Sequence, residues 1–395
     1  MNRFPRVLVP GLLGLSILSA LLAACGGGDG SGPEPLPPTT APAAGTLGDG
    51  RLPQLVEWAR GSQNAPAMGA IIIRNGQVVE RAVAGVRSTA SSVPVTIEDQ
   101  WHLGSITKSM TSTLAAILVE DGLITWDATP AQVWPGSVNA MHADFRNVTL
   151  RQFLSHTSGM KRDDEYSAAE DNAPGTVMQK RQAWAIHLLG TTPAQPAGTE
   201  AYSNMGYVVA GAMLEARAAT PWETLMTTRL FAPIGMTHSG FGAPGTPGAL
   251  DQPLGHWSRD SGFEPVPLGP GADNPQALGP AGGVHSTLDD LAKYLLAHMN
   301  GERGTPGLLS VDSFRMLHTP VVPDYALGWN VVAVVGSSEP GFAHAGTNLR
   351  WFAHTWFAPS RNLAVLLVTN GGGDRGEAAI SALNSVVRDR IEATP

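Results

Sequence analysis

Strand signals occupy the two ends of this chain's folded region and helical signals fill its middle, and that division restricts the fold more than any other feature. Residues 69–74 and 77–85 are β-branched or alternating runs around Asn75-Gly76, the strongest short-range hairpin signal a sequence can carry. Strand signals return at 328–335, 348–357 and 362–370. From Ser105 to about residue 318 the pattern is helical, punctuated by Gly and Pro. Thr220-Pro-Trp-Glu223 has the cap, first-turn proline and third-position glutamate of a helix start, and Ser286-Thr-Leu-Asp289 opens a helix that stops at Asn300-Gly301. A short helix at 52–60 precedes the hairpin and an amphipathic helix at 377–390 closes the chain. The terminal strands are therefore expected to pair in one antiparallel sheet flanked by the N- and C-terminal helices. This is an α/β (α+β) architecture, with a sheet lobe from 51–104 and 325–395 and an inserted all-α lobe from 105–324. Roughly 345 residues exceed what one simple core holds, so two lobes are expected, and clefts form where lobes meet.

The first 50 residues follow other rules. Residues 1–24 carry Arg3 and Arg6, then an apolar run from Val7 to Ala24 with no acidic residue, the pattern of a secretory signal. The run ends in Leu22-Ala-Ala-Cys25, which resembles a bacterial lipoprotein signal whose cysteine is lipidated and becomes the mature N-terminus. Cys25 is the only cysteine, so the exported fold has no intrachain disulfide and must stand on its core. Residues 25–50 are rich in Gly and Pro and are read as a tether with a reach of about 25–30 Å. A full lipoprotein anchor with more than one acyl chain would hold the protein firmly to the cell envelope, facing the periplasm or the outside. The net charge is −8, and signal cleavage makes it more negative, which excludes a nucleic-acid partner.

Ser105-Ile-Thr-Lys108 is the feature that points to chemistry. A serine hydroxyl is a poor nucleophile until a base removes its proton, and residues at i and i+3 share one helix face. The chain enters a helix from Gly104, runs apolar through Met110, Leu114, Ile117 and Leu118, and leaves it at Asp121-Gly122. A second Ser-x-x-Lys, Ser158-Gly-Met-Lys161, is set aside because glycine interrupts the turn and Lys161 runs into the charge run Arg162-Asp163-Asp164-Glu165. Tyr202-Ser-Asn204 is the only Tyr-x-Asn and lies before a helical stretch at 206–216. His344-Ala-Gly346-Thr347 precedes an aromatic run through Trp351, Phe352 and Trp356 and is expected to open the strand there. Competing signatures are absent: no serine has glycine at both −2 and +2, no histidine is followed by glutamate, and no His-x-His occurs. No metal or cofactor is expected. A Gly-x-Gly-x-x-Gly at Gly240 is followed by Thr246-Pro247 and reads as a loop.

In this order the three motifs resemble the serine β-lactamase and penicillin-binding-protein superfamily, in the branch holding class C β-lactamases, D-alanyl-D-alanine carboxypeptidases and related esterases. The resemblance extends through Leu154-Ser-His-Thr-Ser-Gly159, Phe231-Ala-Pro-Ile-Gly-Met236, Gly279-Pro-Ala-Gly-Gly283 and Leu327-Gly-Trp329, and covers roughly residues 50–395. It implies a serine hydrolase in which Ser105 is acylated, Lys108 and Tyr202 share the proton transfers, and Asn204 orients the substrate amide or the lysine. It also implies that Thr347 N–H, beside Gly346, joins the start of the Ser105 helix in an oxyanion hole. Which of Lys108 and Tyr202 is the base stays open.

The expected substrates are small esters, amides or peptidoglycan-related D-peptides. His344 stands where β-lactamases usually carry lysine, and a neutral histidine weakens selection for a substrate carboxylate. Such selection is expected to strengthen as the pH falls through an ordinary histidine titration. Arg350 shares the strand parity of His344 and is a candidate to restore the cation, against the plainer reading of a sheet-surface arginine. Two other readings remain, a true class C-like β-lactamase and a weakly active lipoprotein that binds cell-wall fragments. The oligomeric state is not expected from the sequence.

Overall fold

A computed structural model describes residues 40–164 and 174–394. The signal segment, Cys25 and most of the tether lie outside the described residues.

Six strands form one antiparallel sheet in the order β2-β1-β11-β10-β9-β8. Its N-terminal hairpin is β1 (Ala67–Arg74) and β2 (Gln77–Gly85), and its C-terminal strands are β8 (Asn330–Val332), β9 (Gly341–Thr347), β10 (Phe352–Ala358) and β11 (Leu363–Thr369). Asn75 and Gly76 both take positive φ, as the tight hairpin turn requires. The two ends of the chain meet where β1 pairs with β11, Ile71 opposite Leu366. Side chains alternate across this pair, so each face has its own core. Met68, Ala70, Ile72, Val365 and Leu367 pack on helices α1 (Leu52–Ser62) and α7 (Gly373–Glu392) through Leu55, Val56, Leu383 and Val387. Ile71, Ile73, Leu366 and Val368 face the other way, into the core that contains Met110 and Leu114.

The second face rests on α5 (Leu288–Glu302), with α2 (Thr107–Glu120), α3 (Val177–Gly190), α4 (Asn204–Ala218) and α6 (Val311–His318) completing the inserted region. The sequence suggested an apolar stripe on α2, but the helix is buried on every side from Thr107 to Leu118. Its hydroxyls find internal partners: Thr111 Oγ1 donates to Pro280 O, and Thr113 Oγ1 lies within hydrogen-bonding distance of Tyr294 and His298.

Three expectations change. The inserted region holds strands as well as helices. Here β7 (Val284–Thr287) and β4 (Ser239–Phe241) join β3 (Gln100–His102), which precedes the insertion, in a small sheet, and β5 (His256–Arg259) pairs with β6 (Gly262–Pro265). The strand expected to run on from His344 is two strands, because the chain turns between Thr347 and Phe352 with Leu349 at φ 71°. The last part of the tether is docked: Arg390 donates to Ala44 O and Asp49 and pairs with Glu80, while Leu47 packs against the terminal-helix core.

Candidate active site

Ser105 sits in a tight turn, Gly104–Ile106, that feeds directly into α2. Gly104 has φ +50°, and a Cβ there would lie 2.2 Å from Thr347 N. A Cβ on Gly346 would lie 2.0 Å from Leu103 O and 2.6 Å from Ser105 N. Only two glycines let the end of β9 press this closely against the serine turn. Thr347 and Gly346 are therefore beside Ser105, with Thr347 Oγ1 tied to Trp351 O at 2.6 Å.

One turn into α2, Lys108 is fully buried. Its Nζ lies 2.9 Å from Ser105 Oγ, 2.6 Å from Asn204 Oδ1 and 2.7 Å from Ala281 O. Burial holds its pKa well below the ordinary lysine value. Tyr202 Oη donates to Ser105 Oγ at 2.8 Å, and burial raises the phenol to about 12 despite that bond. One hydroxyl thus lies between an amine of reduced basicity and a phenol that stays protonated at neutral pH. Asn204 is free to hold the lysine because its neighbour Ser203 caps α4, accepting from Gly206 N at 2.8 Å.

Three contributors were not singled out from the sequence. His156 packs its ring 4.4 Å from Tyr202 and 4.6 Å from Tyr325, and its Nδ1 accepts from Ser203 N, so it fixes the tyrosine from beneath. Asp163 accepts from Asn204 Nδ2 at 2.6 Å, and Arg162 lies over the Tyr202 ring at 5.3 Å. Arg162 and Asp163 stay exposed, as a solvated charge run should be, and still border the site. Their signal was the charge run itself, but nothing local told that Tyr202 and Asn204 lie beside it. The rival Ser158 is buried with Oγ accepting from Met160 N, and Lys161 pairs with Asp164, so no Ser158–Lys161 pair forms.

His344 is buried, with Nε2 3.4 Å from Tyr325 Oη and Nδ1 2.6 Å from Ala345 O. Burial, then the nearby Lys108 charge, lowers its pKa to about 3. The expected titration near neutral pH is thereby displaced far into the acid range. Arg350 does not restore a cation at this point: its guanidinium stacks on Trp257 at 4.4 Å and donates to Asn348 O. The Gly282–Gly283 loop approaches the serine turn, with a Gly282 Cβ position 3.6 Å from Gly104 C, and the adjoining Ala281 carbonyl anchors Lys108. Among the described residues no group of three His, Cys, Asp or Glu is placed to hold a metal ion.

Several known proteins are similar to this chain. Penicillin-binding protein 4 of Amycolatopsis lactamdurans is 26% identical over 325 residues, covering 79% of this chain and 83% of that protein. An unguisins hydrolase of Aspergillus campestris is 23% identical over 322 residues, which are 76% of this chain but 58% of that longer protein. Among solved structures, an octameric penicillin-binding protein homologue from Pyrococcus abyssi shares the fold with a TM-score of 0.69 at 24% identity, covering 87% of this chain and 78% of that one. Residues 52–386 match the family described as Beta-lactamase, and the chain belongs to that family of serine hydrolases.

Proposed function

We propose that the protein hydrolyses small esters, amides or D-peptides through an acyl-Ser105 intermediate. The observation that carries this reading is Ser105 Oγ, held 2.9 Å from a buried lysine amine and 2.8 Å from a protonated phenol. A neutral Lys108 has two protons to donate, to Asn204 Oδ1 and Ala281 O, and its lone pair then faces Ser105. Lys108 accepts the serine proton as Oγ bonds to the substrate carbonyl carbon. The oxygen that gains negative charge is met by the N–H groups of Ser105 and Thr347. Collapse of this intermediate expels the alcohol or amine, which takes the proton that Lys108 gained from Ser105, while Tyr202 stays protonated beside the serine oxygen. Water then attacks the acyl-enzyme, giving a proton to Lys108, which returns it to Ser105 as the acyl group leaves as the acid.

A neutral, buried His344 supports substrates without a carboxylate at that position. A cephalosporin must place its carboxylate near an uncharged ring, so the β-lactamase reading is the weaker one. We further propose that the chain is exported and anchored through lipid on Cys25 at the bacterial envelope. Support comes from the sequence at the signal junction, and no described helix is long and apolar enough to cross a membrane.

The test is a panel of a short-chain nitrophenyl ester, a D-Ala-D-Ala peptide and a cephalosporin, assayed on wild type and Ser105→Ala. Turnover of the ester or peptide that disappears in Ser105→Ala is expected. Turnover retained in Ser105→Ala would refute the reading, and a burst without turnover would mark a binding protein instead.

A further inference from the structure

A half-buried carboxylate ties together the two backbone segments that carry the oxyanion donors. His102 lies in β3, two residues before Gly104, and is fully buried. Gly104 N donates to His102 Nδ1 at 3.1 Å, which leaves that nitrogen unprotonated and puts the ring proton on Nε2. Nε2 points at Asp273 Oδ2, 2.8 Å away. The other carboxylate oxygen, Oδ1, accepts from Asn348 Nδ2 at 2.8 Å, and Asn348 directly follows Thr347. Asn274 N also donates to Asp273 Oδ1 at 2.7 Å and fixes the carboxylate plane. Asn348 is itself held, its Oδ1 accepting from Arg350 N.

We propose that Asp273 is a positioning residue that sets the spacing between the two oxyanion donors, Ser105 N–H and Thr347 N–H. One arm runs from Asp273 through His102 to the Gly104 peptide, the link immediately before Ser105. The other runs through Asn348, the residue immediately after Thr347. Strand pairing cannot set this spacing, because the two segments meet glycine against backbone at the ends of different sheets. Asp273 lies about 170 residues from both His102 and Ser105, and no local pattern marks it. Donors preorganised toward the oxyanion act only once charge develops, so Asp273 contributes to kcat and not to substrate binding.

This proposal rests on the reading of Ser105 as the nucleophile. Its test compares wild type, Ser105→Ala, Asp273→Asn and His102→Asn with a short-chain nitrophenyl ester. Kinetics are paired with inhibition by phenylboronic acid, whose tetrahedral serine adduct places an oxygen in the oxyanion hole, and with thermal melts. Asparagine at 102 keeps an acceptor near Gly104 N–H but breaks the bond to Asp273. In both variants kcat is expected to fall at least about tenfold, with KM within about threefold of wild type. Boronate affinity is expected to fall in parallel, whereas a merely structural role would lower the melting temperature and leave folded enzyme with its boronate affinity intact. Should Asp273→Asn fail to fold, His102→Asn decides the matter. Folded variants with wild-type kcat, or with boronate affinity unchanged while kcat drops, overturn the proposal. If Ser105→Ala retains turnover, it is the assignment of the nucleophile that fails.

Discussion

Replacing Gly346 by alanine isolates the contact on which the proposed oxyanion hole depends. The new Cβ would stand 2.0 Å from Leu103 O, 2.6 Å from Ser105 N and 2.9 Å from Ile106 N, whereas real Cβ contacts essentially never fall below 3.0 Å. All three neighbours are backbone atoms, so no side chain can swing aside. The end of β9 must move away from the serine turn by about 1 Å, a misplacement that costs roughly a hundredfold in rate when it separates groups that act together. Overpacking of this kind also destabilises by about 1–3 kcal/mol. The assay is steady-state hydrolysis of a nitrophenyl ester, normalised to active sites titrated with a fluorophosphonate, alongside a thermal melt. Gly301→Ala is the control, since its Cβ would meet the Phe314 ring at 2.0 Å, away from the catalytic turn. It should lower the melting temperature and leave kcat near wild type. A Gly346→Ala enzyme with kcat within about threefold of wild type would refute the argument that this glycine contact sets the site.

Three further outcomes are expected. For a neutral substrate, kcat/KM should rise with pH as Lys108 loses its proton and stay flat through the ordinary tyrosine value of about 10, because burial holds Tyr202 protonated to about 12; an alkaline decline before that point, without unfolding, would contradict a protonated Tyr202. The preference between a cephalosporin and a neutral ester should be constant from about pH 5 to about pH 8, since His344 is neutral throughout, and His344→Lys should shift it toward the carboxylate-bearing substrate by about 1.5–3 kcal/mol in relative kcat/KM. Arg181, fully buried between Glu215 and Glu223 and donating to Ala277 O, holds α3 to α4, so Arg181→Ala should cost about 3–5 kcal/mol in denaturant unfolding; a loss below about 1 kcal/mol would contradict a stabilising role for the network.

What the sequence shows plainly is what short-range chemistry encodes. The Asn75-Gly76 hairpin, the terminal helices and the Ser105–Lys108 turn each depend on residues a few positions apart. The break between β9 and β10 was hidden because Leu349, not glycine, takes the left-handed conformation inside an aromatic, strand-like run. β3 and β4 are three residues long and pair with β7 across more than 40 positions, too little for periodicity to register. His156, Asp163 and Asp273 share one difficulty. Each acts on a motif 39 or more residues away in the chain, so its role exists only once the fold brings the segments together.

The central claim is that Ser105 is the residue that becomes acylated. Intact-mass measurement and peptide mapping after treatment with a fluorophosphonate test it most directly. A single adduct on the peptide containing Ser105, absent in Ser105→Ala, is the expected result. An adduct on Ser158, or one that persists unchanged in Ser105→Ala, would contradict it.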